Sequence, residues 1–430
     1  MDEALIIKDS RSLVPRLILG GVIAVAVVFA FLSVKWQAGN LFAEITSVND
    51  PQAAAVADLA TGLSPGDPFA LWLKTKLVRE EFSMDSIDRS TALTEDIVRL
   101  SPDDFRWWVE LGRAYEQSEM YDKAEKALRH ATELAPEYTF PRWQFGNFLL
   151  RRGRTDEAFA ELKRATEKSS VYREQVFALA WDYFDKDPAR VEMLAGDTPD
   201  MRASLAMFYA VRGAAADALR NWNMLSAEQK AENQKMLPIM AQGLFDKLEL
   251  RESLEFAKEA GIDPEASVGT IANAGFEKHL GHPDETLFGW NIYRGDGKID
   301  INQDSNVKRE GNRSLRINFK TYLKPELHNV VQVIALESGA TYRLTFWVRT
   351  ENLRSAGQPI MQVLNAKDNS VLATSAPFAT GTNDWVQVTM DFGVPADSNG
   401  VSIRTARAQC VGECPLIGTI WYDDFQLNKL

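Results

Sequence analysis

"DFRWWVELGRAYEQSEMYDKAEKALRHATELAP" (104–136) decides how most of this 430-residue chain is read. Its apolar and small residues recur at helical spacing in two blocks. Trp108, Leu111, Gly112 and Tyr115 fall on a first helix; Ala124, Leu128 and Ala131 fall on a second, which Pro136 ends. Gly112 and Ala124 let two antiparallel helices approach, while Trp108, Tyr115 and Leu128 fill the space around them. Adding 34 lands on Gly146, Leu149, Ala158, Leu162 and Ala165, so the pattern has a second copy.

This period and residue order resemble the tetratricopeptide repeat. Upstream, "LSPGDPFALWLKTKL" (63–77) echoes "LSPDDFRWWVELGRA" (100–114), and 203–225 and 238–261 read as further divergent helical pairs. One repeat cannot bury its own apolar face, so the spacing predicts an all-α solenoid over 50–262. The motif residues are packing. The resemblance implies a concave groove that takes a protein or peptide, with Arg113, Asn147 and Arg151 on first helices as its polar lining.

Ahead of the solenoid, "LILGGVIAVAVVFAFLSV" (17–34) carries no charge. Eighteen helical residues span about 27 Å, close to a hydrocarbon core of roughly 30 Å. Lys8, Arg11 and Arg16 precede it and only Lys35 follows closely, which places the N-terminus in the cytoplasm. A cleaved signal peptide is the competing reading, but Lys35-Trp36-Gln37 makes a poor cleavage site. The expected layout is a cytoplasmic tail (1–16), a transmembrane anchor (17–35), a juxtamembrane linker (36–49) and an exported remainder. In an oxidising compartment, Cys410 and Cys414 are neither a zinc half-site nor a two-spacer redox motif. A short-loop disulfide fits best. His279 and His282 read as a polar loop.

Beyond 270 the texture becomes alternating strands bounded by Gly, Asn, Asp and Pro, the pattern of an antiparallel sandwich. Sixteen Lys/Arg meet seventeen Asp/Glu there, so nearly all of the net charge of −12 lies in the helical half. That balance argues against nucleic acid as a partner. Gly-Phe-Glu (275–277), "GATYRLTFWVR" (339–349), Asp384-Trp385 and "WYDDF" (421–425) resemble, in this order, the jelly-roll carbohydrate-binding modules with a galactose-binding-like fold. The resemblance implies a jelly-roll sandwich over 270–430. It also implies a structural calcium where the first strand meets the last, carried here by Glu277 and by Asp423 or Asp424.

Alternation puts Tyr342, Leu344, Phe346 and Val348 inside and Arg343, Trp347 and Arg349 outside. Arg316, Asn318 and Arg404 also point outward. If the strands neighbour one another, this face offers an aromatic ring among planar hydrogen-bonding groups, which suits a sugar. The alternative is that Trp347 is covered by the solenoid or by a loop. Trp290, Trp385 and Trp421 are expected in the core.

No phosphate-cradling Gly loop, nucleophile elbow or metalloprotease pattern is present. The expectation is a non-enzyme: a single-pass scaffold of the bacterial inner membrane with its bulk in the periplasm. It would serve envelope or exopolysaccharide assembly, the solenoid holding an assembly protein and the sandwich touching glycan or another subunit. A glycan receptor with the solenoid as spacer is the alternative, and an auxiliary glycoside-processing enzyme a weaker one.

Overall fold

The structure, a computed structural model, describes residues 13–81, 83–167, 169–294, 297–410 and 414–430. Lys8 and Arg11 lie outside the described residues. The chain divides into two compact units, 1–182 and 183–430. The change from helix to strand falls after residue 259, so the units part within the helical region rather than at the change of texture.

The first unit opens with α1 (Leu13–Ile45), which contains an N-terminal apolar helix long enough to cross a membrane. Residues 36–45 are not the expected linker. They continue α1 and pack on α2 (Ala53–Leu63) and α3 (Pro68–Arg79), with Ala43, Ala57, Ala60, Ala70 and Leu73 sharing one small core. Apolar side chains beyond Lys35 make this possible, because water favours burying them on a neighbouring helix.

The quoted stretch forms α5 (Phe105–Gln117) and α6 (Tyr121–Leu134), and its second copy α7 (Thr139–Arg151) and α8 (Thr155–Glu167). The 34-residue period is visible in atomic detail. A Cβ at Gly112 would lie 2.5 Å from Leu128 Cγ, and one at Gly146 would lie 2.7 Å from Leu162 Cγ. The upstream echo is also structural: Asp67 caps α3 by accepting from Phe69 N and Ala70 N, and Asp104 caps α5 by accepting from Arg106 N. Gly112→Ala is therefore expected to destabilise the chain. Overpacking costs about 1–3 kcal/mol and outweighs the gain of about 1 kcal/mol in helix propensity. Urea unfolding checks it, and a stabilised variant would mean that Leu128 moves aside freely.

The second unit holds helical pairs ending in α14 (Leu237–Asp246) and α15 (Leu250–Glu259), then two antiparallel sheets. One sheet runs β1 (Asn291–Ile292), β4 (Val330–Ala335), β9 (Gly400–Arg407), β6 (Pro359–Asn365), β7 (Val371–Thr374). The other runs β2 (Ile299–Asp304), β3 (Ser314–Tyr322), β10 (Leu416–Lys429), β5 (Thr341–Arg354), β8 (Gly381–Gly393). Phe276, Phe346, Phe392, Tyr422 and Phe425 are among the side chains that fill the space between them. Leu344, Phe346 and Val348 point in as alternation predicts. The last helical pair leans on the sandwich: Leu250 of α15 occupies the space a Cβ on Gly400 of β9 would need, and Phe245 of α14 meets Phe288, just ahead of β1, edge-on at 5.4 Å. Cys410 and Cys414 are bonded, with their Cα atoms 6.6 Å apart.

Candidate functional site

Cross-strand register assembles most of the expected outer face on the second sheet. Arg316 of β3 and Arg349 of β5 both stand opposite Trp421 of β10, and Trp347 stands opposite Asp423. Asn302 on β2 extends the row through Arg316, and Gln387 on β8 extends it past Trp347. Asn318 lies one pleat along, where it accepts from Thr419 Oγ1 at 3.4 Å. Arg343 is on the same face but about 13 Å from Trp347 along the strand. Its fork is closed on Asp391 by two bonds of 2.7 Å.

Arg404 does not belong to this face. It lies on β9, in the other sheet, where its guanidinium donates to Gln362 Oε1 at 3.0 and 3.2 Å. Alternation tells which side of a strand a residue takes, but not which sheet the strand joins.

Trp347 is half-buried, and the connection between β2 and β3 covers part of it: the Arg309 guanidinium sits 4.4 Å from its ring centroid. Two of the three tryptophans expected in the core differ from expectation. Trp290 is in the sandwich core. Trp421 is only 4% exposed, yet it is buried on the outer face, with Arg349 over its ring and its Nε1 donating to Asp304 Oδ2 at 2.9 Å. Trp385 is half-buried on β8, beside the same face. Burial pushes Asp304 up, but the Trp421 indole, the backbone N–H groups of Asn306 and Val307 and the Arg316 charge hold it below the usual aspartate value. The face thus combines aromatic rings with arginines, one of which, Arg349, lies over Trp421 and keeps a buried Nε without a hydrogen-bond partner among the described residues.

The carboxylates expected to hold calcium separate into a pair and an outlier. Glu277 Oε1 accepts from Asn312 N at 2.8 Å and Arg313 N at 3.2 Å. Asp423, 1% exposed, accepts through Oδ2 from Arg309 N at 2.7 Å and Glu310 N at 3.2 Å, and through Oδ1 from Asp424 N at 2.8 Å. Both therefore grip one loop, 309–313. Near Gly275 they converge: the place a Cβ would take there is 3.8 Å from Asp423 Oδ1 and 4.0 Å from Glu277 Oε1. Asp424 turns away and accepts from Gln426 Nε2. Among the described residues no group of three or more acidic, His or Cys side chains could hold a metal ion. Of the two carboxylates that meet the loop, Asp423 is buried and Glu277 is exposed; Asp424 does not belong to the set.

In the first unit, Arg113 and Arg151 line one open cavity of 510 Å³ together with Arg79, Glu116, Gln117 and Gln144. Arg79 and Arg113 share Glu110 at 3.1 and 2.9 Å, and Arg151 is forked on Glu116 at 2.7 and 2.8 Å. Asn147 is not part of it; its amide donates to Trp143 O at 2.8 Å within α7. Arg79 escaped the sequence reading because the upstream copy, offset by 37, sets it level with Glu116, a residue of opposite charge.

Residues 268–408 match the family described as carbohydrate binding domain, and 105–138 match the tetratricopeptide repeat. No curated protein matches. Among solved structures, one described as "CBM4 structure and function" is 17% identical and covers 37% of this chain and 100% of its own, with TM-score 0.29. MamA (41-end) from Desulfovibrio magneticus RS-1 is 22% identical over 32% of this chain and 75% of its own, with TM-score 0.27. YrrB, described as a TPR protein with an unusual peptide-binding site, is 17% identical over 49% of this chain and 93% of its own, with TM-score 0.23. The chain thus carries an apolar N-terminal helix, a tetratricopeptide-repeat segment and a C-terminal sandwich of the carbohydrate-binding kind. Neither matched family description names a catalytic activity.

Proposed function

We propose that this is a non-catalytic scaffold held in a bacterial inner membrane by α1, with its bulk in the periplasm, serving envelope or exopolysaccharide assembly. The arginine-lined cavity of the solenoid holds a segment of an assembly protein, and the sandwich contacts glycan. The observation that carries the glycan half is the cross-strand cluster of Trp347, Trp421, Arg316 and Arg349 on the outer face of one sheet. A sugar ring stacks its C–H face on Trp347 while its hydroxyls meet arginine donors. Glu277 and Asp423, which already hold the 309–313 loop through its N–H groups, also hold a calcium ion completed by backbone or water oxygens.

A glycan array with the full chain in lipid nanodiscs tests this reading. Trp347→Ala is expected to weaken binding about tenfold or more, the equivalent of about 1.4 kcal/mol. Arg309→Ala, which uncovers the Trp347 ring, is expected to bind as well as wild type or better. Equal binding by Trp347→Ala, with its thermal melt unchanged, would remove the glycan site from this face. A chain that binds glycan but captures no assembly protein would favour the receptor reading, with the solenoid as spacer.

A further inference from the structure

Beyond Lys35, helix α1 has two apolar faces, and among the described residues one of them is packed. Gly39 and Ala43 are buried against α2 and α3, and a Cβ on Gly39 would lie 2.9 Å from Ala60 O and 3.0 Å from Leu63 Cβ. Asn40 Nδ2 donates to Asp67 Oδ2 at 3.0 Å on the same side. At about 100° per residue, Leu41 and Ile45 fall about 180° from this packing face. They are 54% and 69% exposed.

From Ile45 back, steps of four and three alternate without a break through Leu41, Ala38, Val34, Phe31 and Val27. The series ends on the small pair Ala24 and Gly20, which lets two helices approach closely. Every position is apolar or small, and the spacing is that of a coiled-coil seam. Lipid accounts for the inner part of such a stripe but not the outer part. Leu41 and Ile45 lie six and ten residues past Lys35, about 9–15 Å beyond it. A partner has to offer a matching apolar seam in one register both in hydrocarbon and in water. A second copy of α1 does so.

We propose that two chains pair in parallel along this seam, α1 against α1, through a two-fold interface on the side of the helix opposite the solenoid. The proposal rests on α1 being a retained anchor. The packing of Gly39, Asn40 and Ala43 supports retention, because cleavage beyond them would strip the first layer of the solenoid of a helix.

The test is mild oxidation of the full chain in membranes, carrying Leu41→Cys, Ile45→Cys or, off the seam, Glu44→Cys. The two seam variants are expected to give a disulfide-linked dimer at least about tenfold more readily than the third. The full chain in nanodiscs is expected to have the mass of two copies, and Leu41→Glu combined with Ile45→Glu that of one, while staying in the membrane after a carbonate wash. Equal cross-linking at all three positions, or a wild-type chain that is membrane-bound with the mass of one copy, overturns the seam alone. A mature chain beginning after Leu41 overturns the anchor as well.

Discussion

Replacing Asp423 by alanine is expected to destabilise the sandwich by about 3 kcal/mol, in the range for removing one partner of a buried, charge-assisted network. The carboxylate is almost fully buried and takes three backbone N–H groups, two of them from the loop between β2 and β3. Alanine leaves these donors without an acceptor. Asp423→Asn keeps one acceptor oxygen and loses the charge, so its cost separates the hydrogen bonds from the electrostatics. Burial raises Asp423 above the ordinary aspartate value, with the Asp424 charge adding to it and the three N–H groups opposing it. A carboxylate raised on folding binds its proton more tightly in the folded chain. Its stabilising contribution is therefore present below the ordinary aspartate value and is lost as pH rises through the raised one. Glu277 has the opposite sign: the Asn312 and Arg313 N–H groups lower it, so its contribution is present above the ordinary glutamate value and lost in acid.

The proposed calcium ion would change the sign for Asp423, because it would bind the charged form. At a hundredfold excess over its dissociation constant it would add about 2.7 kcal/mol at neutral pH, fading as the pair is protonated. Thermal melts with calcium and with chelator, from pH 4 to 7.5, measure both effects. A wild-type melt indifferent to calcium across that range rules out the ion; a calcium-dependent melt retained in Asp423→Ala would move the ion elsewhere.

The sequence showed what is periodic or local. Gly112 and Gly146 sit 34 apart and meet leucines that also sit 34 apart, Leu128 and Leu162, and the inward alternation of β5 is as its residue types require. What it did not show depends on partners far along the chain. Arg404 and Trp347 share an outward parity, yet their strands join different sheets. Trp421 and Tyr422 are both buried, one under outer-face arginines and one in the core, and side-chain type does not distinguish them. That Arg309 would lie over Trp347 follows from a loop held by Glu277 and Asp423, one 32 residues before Arg309 and the other 114 after it. Residues 36–45 continue the helix of the apolar run without a break, and in sequence only the spacing of Gly39 and Ala43 marks them as a packing face rather than a linker.

The second large effect is expected at Asp263, where the last helical pair meets the sandwich within one compact unit. Its nearly buried carboxylate accepts from Leu287 N at 2.8 Å, Phe288 N at 3.0 Å and Thr286 Oγ1 at 2.5 Å. Phe288 then stays against Phe245 of α14, and Gln332 of β4 donates to Phe288 O at 2.9 Å, so one side chain ties helix, loop and sheet. Asp263→Ala is expected to cost about 3 kcal/mol, since Phe288 N is left buried without an acceptor. Asp263→Asn should cost less, keeping one of the two accepting oxygens. Limited proteolysis is the second readout, because loss of the tie should open 264–290 to cleavage before the sandwich itself unfolds. If the alanine variant melts like wild type and resists cleavage, the junction is held by Leu250 and Phe245 packing instead. If it melts early and is cut there, the sandwich is fixed to the final helices through this carboxylate, and a glycan bound on its outer face is presented at a set position relative to α14 and α15.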